Sequence, residues 1–191
     1  LERLGKRERQ RDPAAWVSPH RETDLARVAG VVRRAAVFAR LDPLHAGTAA
    51  QVERVLALGA TVLMLPMVGC RDDVATLQSL AGARASIVPL LETPSGLAVV
   101  ADLPALGVRE AYVGINDLAL SWGAPNRFWV LAGDELAAAA QVARRVGVAL
   151  GIGGLARAGD DDLPVPSPLV YAQHARLGST GALLSRSFFA G

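Results

Sequence analysis

Cysteine, lysine and long apolar runs are scarce in this chain, and each scarcity excludes a chemistry. Cys70 is the single cysteine among 191 residues, so no disulfide forms within the chain and no metal site with two or more cysteine ligands can be built in it. Its simplest role is that of a small buried or half-buried thiol. Lys6 is the single lysine among 20 Lys and Arg residues, which all but removes chemistry that needs a Schiff-base lysine on a buried strand. No segment approaches the roughly 18 to 20 consecutive apolar residues of a membrane span. No charged region leads into an apolar one at the start, as a secretory leader requires. The expectation is a soluble, cytoplasmic protein with no membrane partner.

What is present is a chain with 51% hydrophobic and 20% charged residues, enough to bury a substantial core and incompatible with a disordered, collagenous or disulfide-built protein. The net charge of +2 hides an asymmetry, because residues 1 to 40 hold ten Lys and Arg against five Asp and Glu. The basic run Lys6-Arg7-Glu8-Arg9-Gln10-Arg11 is interrupted by Glu8 and has no aromatic before Trp16, so nucleic acid is not an expected partner. With no low-complexity stretch and no linker, residues 1–191 read as a single domain.

Short β-rich runs alternate with longer segments of helical periodicity, the pattern of parallel βα units. Strands are expected near Val37 to Leu41, Thr61 to Met67, Ser86 to Glu92, Glu110 to Ile115, Val148 to Ile152 and Gly181 to Leu184. Their starts lie 24, 25, 24, 38 and 33 residues apart, enough each time for a helix and two loops. Helices are expected over Asp24 to Arg34, Thr48 to Leu58, Asp72 to Leu80, Gly96 to Leu106, Asp134 to Val146 and Pro168 to Leu177. Runs such as Val62-Leu63-Met64-Leu65 are almost wholly apolar, as buried parallel strands should be. Two architectures fit, a (βα)8 barrel and an open doubly wound sheet. For a barrel the chain is short against the roughly 250 residues that are typical.

Parallel α/β folds keep their chemistry at the C-terminal ends of the strands, and there the sequence supplies Arg40, Glu92 and Asp117. The rigid fork of Arg40 suits a carboxylate or phosphate. A carboxylate at the end of an apolar run must be hydrated, paired or bound to a cation. Glu92 and Asp117, on successive strands, could therefore give two oxygen ligands to Mg²⁺ or a similar hard ion. The alternative, which spacing alone favours, is that Glu92 caps the following helix and Asp117 pairs with an arginine.

Gly151-Ile152-Gly153-Gly154-Leu155-Ala156 formally matches a dinucleotide fingerprint, but Asp160-Asp161-Asp162 and prolines at 164, 166 and 168 follow it. No helix N-terminus is placed to hold a pyrophosphate, and a glycine-rich loop after a strand is the better reading, with the acidic triplet solvated. His20, His45 and His174 lack metal-ligand spacing; His45 and His174 could each serve in proton transfer, but a structural role is favoured for both. Ser95-Gly96 and Ser185-Arg186-Ser187 show no nucleophile elbow. Trp122, Phe128 and Trp129 suit either an interface or lid, or local packing.

The segments Gly59 to Met67 (Gly-Ala-Thr-Val-Leu-Met-Leu-Pro-Met), Leu91-Glu92-Thr93-Pro94, and Val113-Gly114-Ile115-Asn116-Asp117-Leu118 with Gly123 downstream resemble the HpcH/HpaI aldolase and citrate lyase β-subunit family. The resemblance runs in order over most of the chain. It implies a (βα)8 TIM barrel of the phosphoenolpyruvate/pyruvate-domain type, with the first strand and most of the second upstream of Leu1. It further implies that Glu92 and Asp117 ligate Mg²⁺ or Mn²⁺, that Arg40 binds the carboxylate or keto oxygen of a pyruvate-like group as the catalytic cation, and that amides of Gly114, Ile115 and Asn116 help to seat it. Glu2 would match an acidic position ending the second strand. The aldolase branch carries a histidine directly after that acid, where this chain has Arg3, so the aldolase acid/base residue is not transferred.

The function expected from the resemblance is a metal-dependent carbon–carbon lyase or aldolase acting on a small 2-oxo acid, in a protein that assembles as a homo-oligomer. The alternatives are an acyl-CoA thioester lyase and a barrel of the same family that binds a ligand or partner without turnover. An open-sheet nucleotide-binding enzyme rests on Gly151 to Ala156 alone.

Overall fold

The six apolar runs become six strands of one parallel sheet. The computed structural model describes residues 1–5, 20–159, 163–184 and 188. Its strands are β1 (Phe38–Arg40), β2 (Val62–Leu65), β3 (Ser86–Leu91), β4 (Glu110–Val113), β5 (Ala149–Leu155) and β6 (Gly181–Leu184). They pair in chain order, always parallel. The helices are α1 (Glu22–Val31), α2 (Thr48–Ala57), α3 (Arg71–Ala81), α4 (Pro94–Ala98), α5 (Ile115–Trp122), α6 (Trp129–Ala132), α7 (Asp134–Val146) and α8 (Ser167–Leu177). The basic run at 6–11, the acidic triplet at 160–162 and Ser185-Arg186-Ser187 lie outside the described residues.

Strands added in order by crossovers of one hand place all their helices on one face of the sheet, and the sheet curls around its other face. The result is a mixed α/β fold with a six-strand parallel half-barrel. Alternation along the strands separates two apolar groups. Leu63, Leu65, Leu91, Ala111, Val113, Leu150 and Ile152 join the helices in the main core. Met64, Val88 and Leu90, with the half-buried Val62, Tyr112 and Leu183, form a smaller cluster on the inner face.

Three expectations are corrected. The helix expected over Gly96 to Leu106 is broken: α4 ends at Ala98, and two 3-10 turns follow at Val99–Ala101 and Leu103–Leu106. Pro104, which lacks an N–H and clashes with the preceding turn, does not allow a continuous α-helix there. The glycine-rich segment is not a loop but the body of β5, with Ile152 wholly buried and a register shift between Gly153 and Leu155. Cys70 is exposed rather than buried, because it stands in the turn that opens α3, where Asp73 accepts its amide.

The glycines of β5 and β6 are explained by what lies over them. A Cβ on Gly151 would overlap the Tyr112 ring, and one on Gly181 would lie 2.8 Å from the Tyr112 hydroxyl. A Cβ on Gly154, whose φ is +88°, would run into the Ile115 side chain. Gly151 is thus a packing glycine, and a Cβ on Gly153 would press to 3.2 Å on the Val113 carbonyl oxygen, so the glycines of the dinucleotide fingerprint have a structural explanation that involves no phosphate. Gly151→Ala is expected to destabilise the fold by about 1–3 kcal/mol through overpacking, read from urea denaturation. Adding Tyr112→Leu should recover most of that loss. No recovery would show that the ring is not what the glycine accommodates.

Candidate active site

Arg40, Glu92 and Asp117 gather at the C-terminal end of the sheet: Arg40 closes β1, Glu92 directly follows β3, and Asp117 lies in the helical turn after β4. Arg40 is the last residue of β1 and pairs in register with Met64 of the inner cluster. Glu92 follows Leu91, two positions beyond the inner-facing Leu90, and is only 5% exposed. Asp117, at 9% exposed, is not on a strand. The chain turns at Gly114 directly into α5, so Asp117 occupies the first helical turn. The short strand β4 and this helix replace the expected strand through Ile115.

Gly114 is required where it stands, since a Cβ there would lie 2.5 Å from Glu92 Oε1 and 2.6 Å from its Cγ. On the other side, Glu92 Oε2 accepts the Met67 amide at 3.0 Å. Met67 has φ +55°, a left-handed conformation rare for a residue with a side chain, and such backbone strain clusters at functional sites.

Burial pushes the Glu92 carboxyl up to about 8, with the negative charges of Asp117 and Glu2 adding to the effect. The Met67 amide and the Arg40 guanidinium oppose it only in part. Two further acids thus act on Glu92 with one nearby arginine, an electrostatic arrangement that a cation would relieve. Glu2, 4% exposed, reaches the Arg40 Nε at 3.3 Å. Leu1 to Gly5 form no strand, yet this segment brings its acid to the site.

The remaining candidates separate. Ile115 is buried at 2% exposure and packs toward Gly154, so only its backbone can serve a ligand, while the Asn116 side chain is exposed. First-turn amides have no acceptor within their own helix, and those of α5 follow directly on Gly114, which has no side-chain cap. The ring of His45 accepts the Gly47 amide at 3.0 Å in an exposed turn. Arg3 directs its guanidinium to the His20 carbonyl at 3.0 Å. Phe128 is buried, whereas Trp129 is exposed. Among the described residues, no group of three or more His, Cys, Asp or Glu converges as a metal cluster.

His174, on α8, is buried behind the sheet, where its ring N–H bonds to the backbone of Gly153 and its Nε2 has no hydrogen-bond partner among the described residues. Burial holds its pKa below the usual value of 6.5 despite the Gly153 bond. The unfolded chain takes up the proton first, so stability is expected to fall as pH drops below 6.5. A His174→Gln variant should lack that decline in a pH series of urea midpoints, and persistence of the decline would assign it to another group.

Two features were not legible in advance. The strained turn at Met67 carries no glycine to announce it. Asp42, 9% exposed, was readable only as one more acid after an apolar run.

The fold and the site together define a parallel α/β half-barrel with acidic residues and an arginine gathered at the strand C-termini. No protein-family model and no curated protein matches the sequence. In fold the chain is similar to the crystal structure of an HpcH/HpaI aldolase/citrate lyase family protein from Burkholderia cenocepacia J2315, with a TM-score of 0.69 and 18% identity. The similarity covers 91% of this chain and 77% of that one. The likeness is one of fold. No described helix is long and apolar enough to cross a membrane.

Proposed function

We propose that the protein is a divalent-metal-dependent carbon–carbon lyase or aldolase acting on a small 2-oxo acid through a pyruvate-like enolate. In this reading the half-barrel is the larger part of a (βα)8 barrel. The observation that carries the proposal is the buried pair Glu92, directly after β3, and Asp117, in the first turn of α5, with the Arg40 charge acting on Glu92. Two hard carboxylate oxygens, with water and substrate completing the coordination, would suit Mg²⁺ or Mn²⁺, and a cation there would offset the burial and the Asp117 and Glu2 charges that raise the proton affinity of Glu92. A bound ion of this kind would supply Lewis acidity at the 2-oxo group.

The chain's own residues do the rest. Arg40 neutralises the substrate carboxylate with a planar fork. The first-turn amides at Ile115 and Asn116 orient its oxygens, in the manner of any helix N-terminus facing an anion. The barrel-type inner face, lined by Met64, Val88 and Leu90, keeps the floor of the site apolar. Lys6 being the single lysine of the chain, enolate formation by way of a strand lysine has no candidate here.

A specific observation favours a second reading, a barrel that binds without turnover. Arg3 stands where the aldolase resemblance would place a histidine, and its side chain is engaged with His20. Deuterium exchange into the pyruvate methyl group, followed by proton NMR with Mg²⁺ and with chelator, separates the two. Metal-dependent exchange is the expected result. Metal and oxo-acid binding without exchange would favour the non-catalytic barrel or a thioester lyase.

A further inference from the structure

Asp42 lies two residues beyond Arg40 and holds a segment that is remote in sequence. Its Oδ1 accepts the backbone amides of both Arg3 and Leu4, the latter at 2.8 Å. Its Oδ2 accepts Gln51 Nε2 at 2.9 Å, and Gln51 Oε1 in turn accepts the Asp42 amide at 3.1 Å. Gln51 is itself buried on α2. Burial would raise the Asp42 pKa, but the Arg3 and Leu4 amides and the Gln51 side chain outweigh it and hold the carboxyl below its usual range. Two consecutive amides bound to one oxygen fix both the depth and the rotation of the chain at that point.

Glu2 is the next residue along. Its carboxylate is buried and meets the Arg40 Nε, while the Arg40 side chain remains 35% exposed. A long arginine on a three-residue strand has several rotatable bonds to lose on ordering, and a fixed carboxylate selects one orientation of its fork. We propose that Asp42 is the positioning residue of this site, docking the Glu2 segment so that Glu2 sets the orientation of the Arg40 guanidinium. The path runs from α2 through Gln51 and Asp42 to the Arg3 and Leu4 amides, then to Glu2 and Arg40. Its functional meaning rests on Arg40 being the substrate-carboxylate group. The contacts themselves do not depend on that reading.

The test follows the Arg40 Nε–H resonance and the hydrogen exchange of the Arg3 and Leu4 amides by ¹⁵N NMR, without metal or substrate. Asp42→Ala is expected to speed exchange of those two amides at least about tenfold and to move the Arg40 signal to the position seen in Glu2→Gln. In a Glu2→Gln background, adding Asp42→Ala should move it no further. An Arg40 signal unchanged by Asp42→Ala but shifted by Glu2→Gln would overturn the proposal, as would additive shifts. Should Asp42→Ala fail to fold, Asp42→Asn with Gln51→Glu exchanges donor and acceptor across the pair. It is expected to restore amide protection and the native Arg40 signal together, where Asp42→Asn alone sets two NH₂ groups against each other. Restored amides with a displaced Arg40 signal would also sink the idea. If the Arg40 signal behaves as expected while wild-type protein shows no pyruvate exchange, the positioning role stands and the enolate chemistry falls.

Discussion

Glu92→Gln and Asp117→Asn should each abolish metal-dependent deuterium exchange into pyruvate, by roughly a hundredfold to a thousandfold, while leaving the fold intact. Glu92 is buried to 5% exposure between the Met67 amide and the open face of Gly114, and the amide isostere keeps its size while removing its ability to ionise. Gln retains an oxygen for the Met67 amide, so the hydrogen bond can persist. What is lost is the ability to offer a negatively charged oxygen to a cation. Circular dichroism and the urea midpoint would verify folding in the same samples. Full activity in both variants would end the assignment of these carboxylates as metal ligands, and loss in only one would leave a site with a single acidic ligand.

The second large effect couples pH to metal. The native chain keeps a proton on Glu92 up to about 8, whereas the unfolded chain releases it near 4.5. Over that interval the folded state binds the extra proton, so stability is expected to fall as pH rises, by a few kcal/mol in all. His174 works in the opposite direction below 6.5, so the Glu92 effect is cleanest between pH 6.5 and 8. Saturating Mg²⁺ or Mn²⁺ favours the ionised carboxylate and should flatten this slope, and Glu92→Gln should flatten it without metal. Urea midpoints measured across the interval with metal and with chelator decide the matter. Equal slopes in both would mean that no cation engages Glu92.

The strands and the polar residues at their ends were legible because buried parallel strands leave a local mark, a short run of apolar residues closed by something charged. Arg40, Glu92 and Asp117 all carry it. The helix α5 was not legible, because Gly114-Ile115-Asn116-Asp117 reads equally well as a strand end and a loop. The start of α5 depends on Gly114 passing close to Glu92, a contact between different strands. The glycines of β5 were misread for a related reason. Locally they resemble a turn, and only Tyr112 on the neighbouring strand shows why a side chain is forbidden there. Asp42 was overlooked because its partners, Arg3 and Leu4, stand 39 and 38 residues away. Local periodicity carries no information about such pairs.

The Tyr112 ring, lying across Gly151 and Gly181, ties three strands to a single side chain, and this has an evolutionary consequence. A mutation that enlarges either glycine is tolerable only in a lineage where the aromatic has already shrunk, and an aromatic regained there is tolerable only after both glycines return. In an alignment of relatives, positions 112, 151 and 181 should therefore change as a set. The order of their changes would be constrained too, with the ring giving way first.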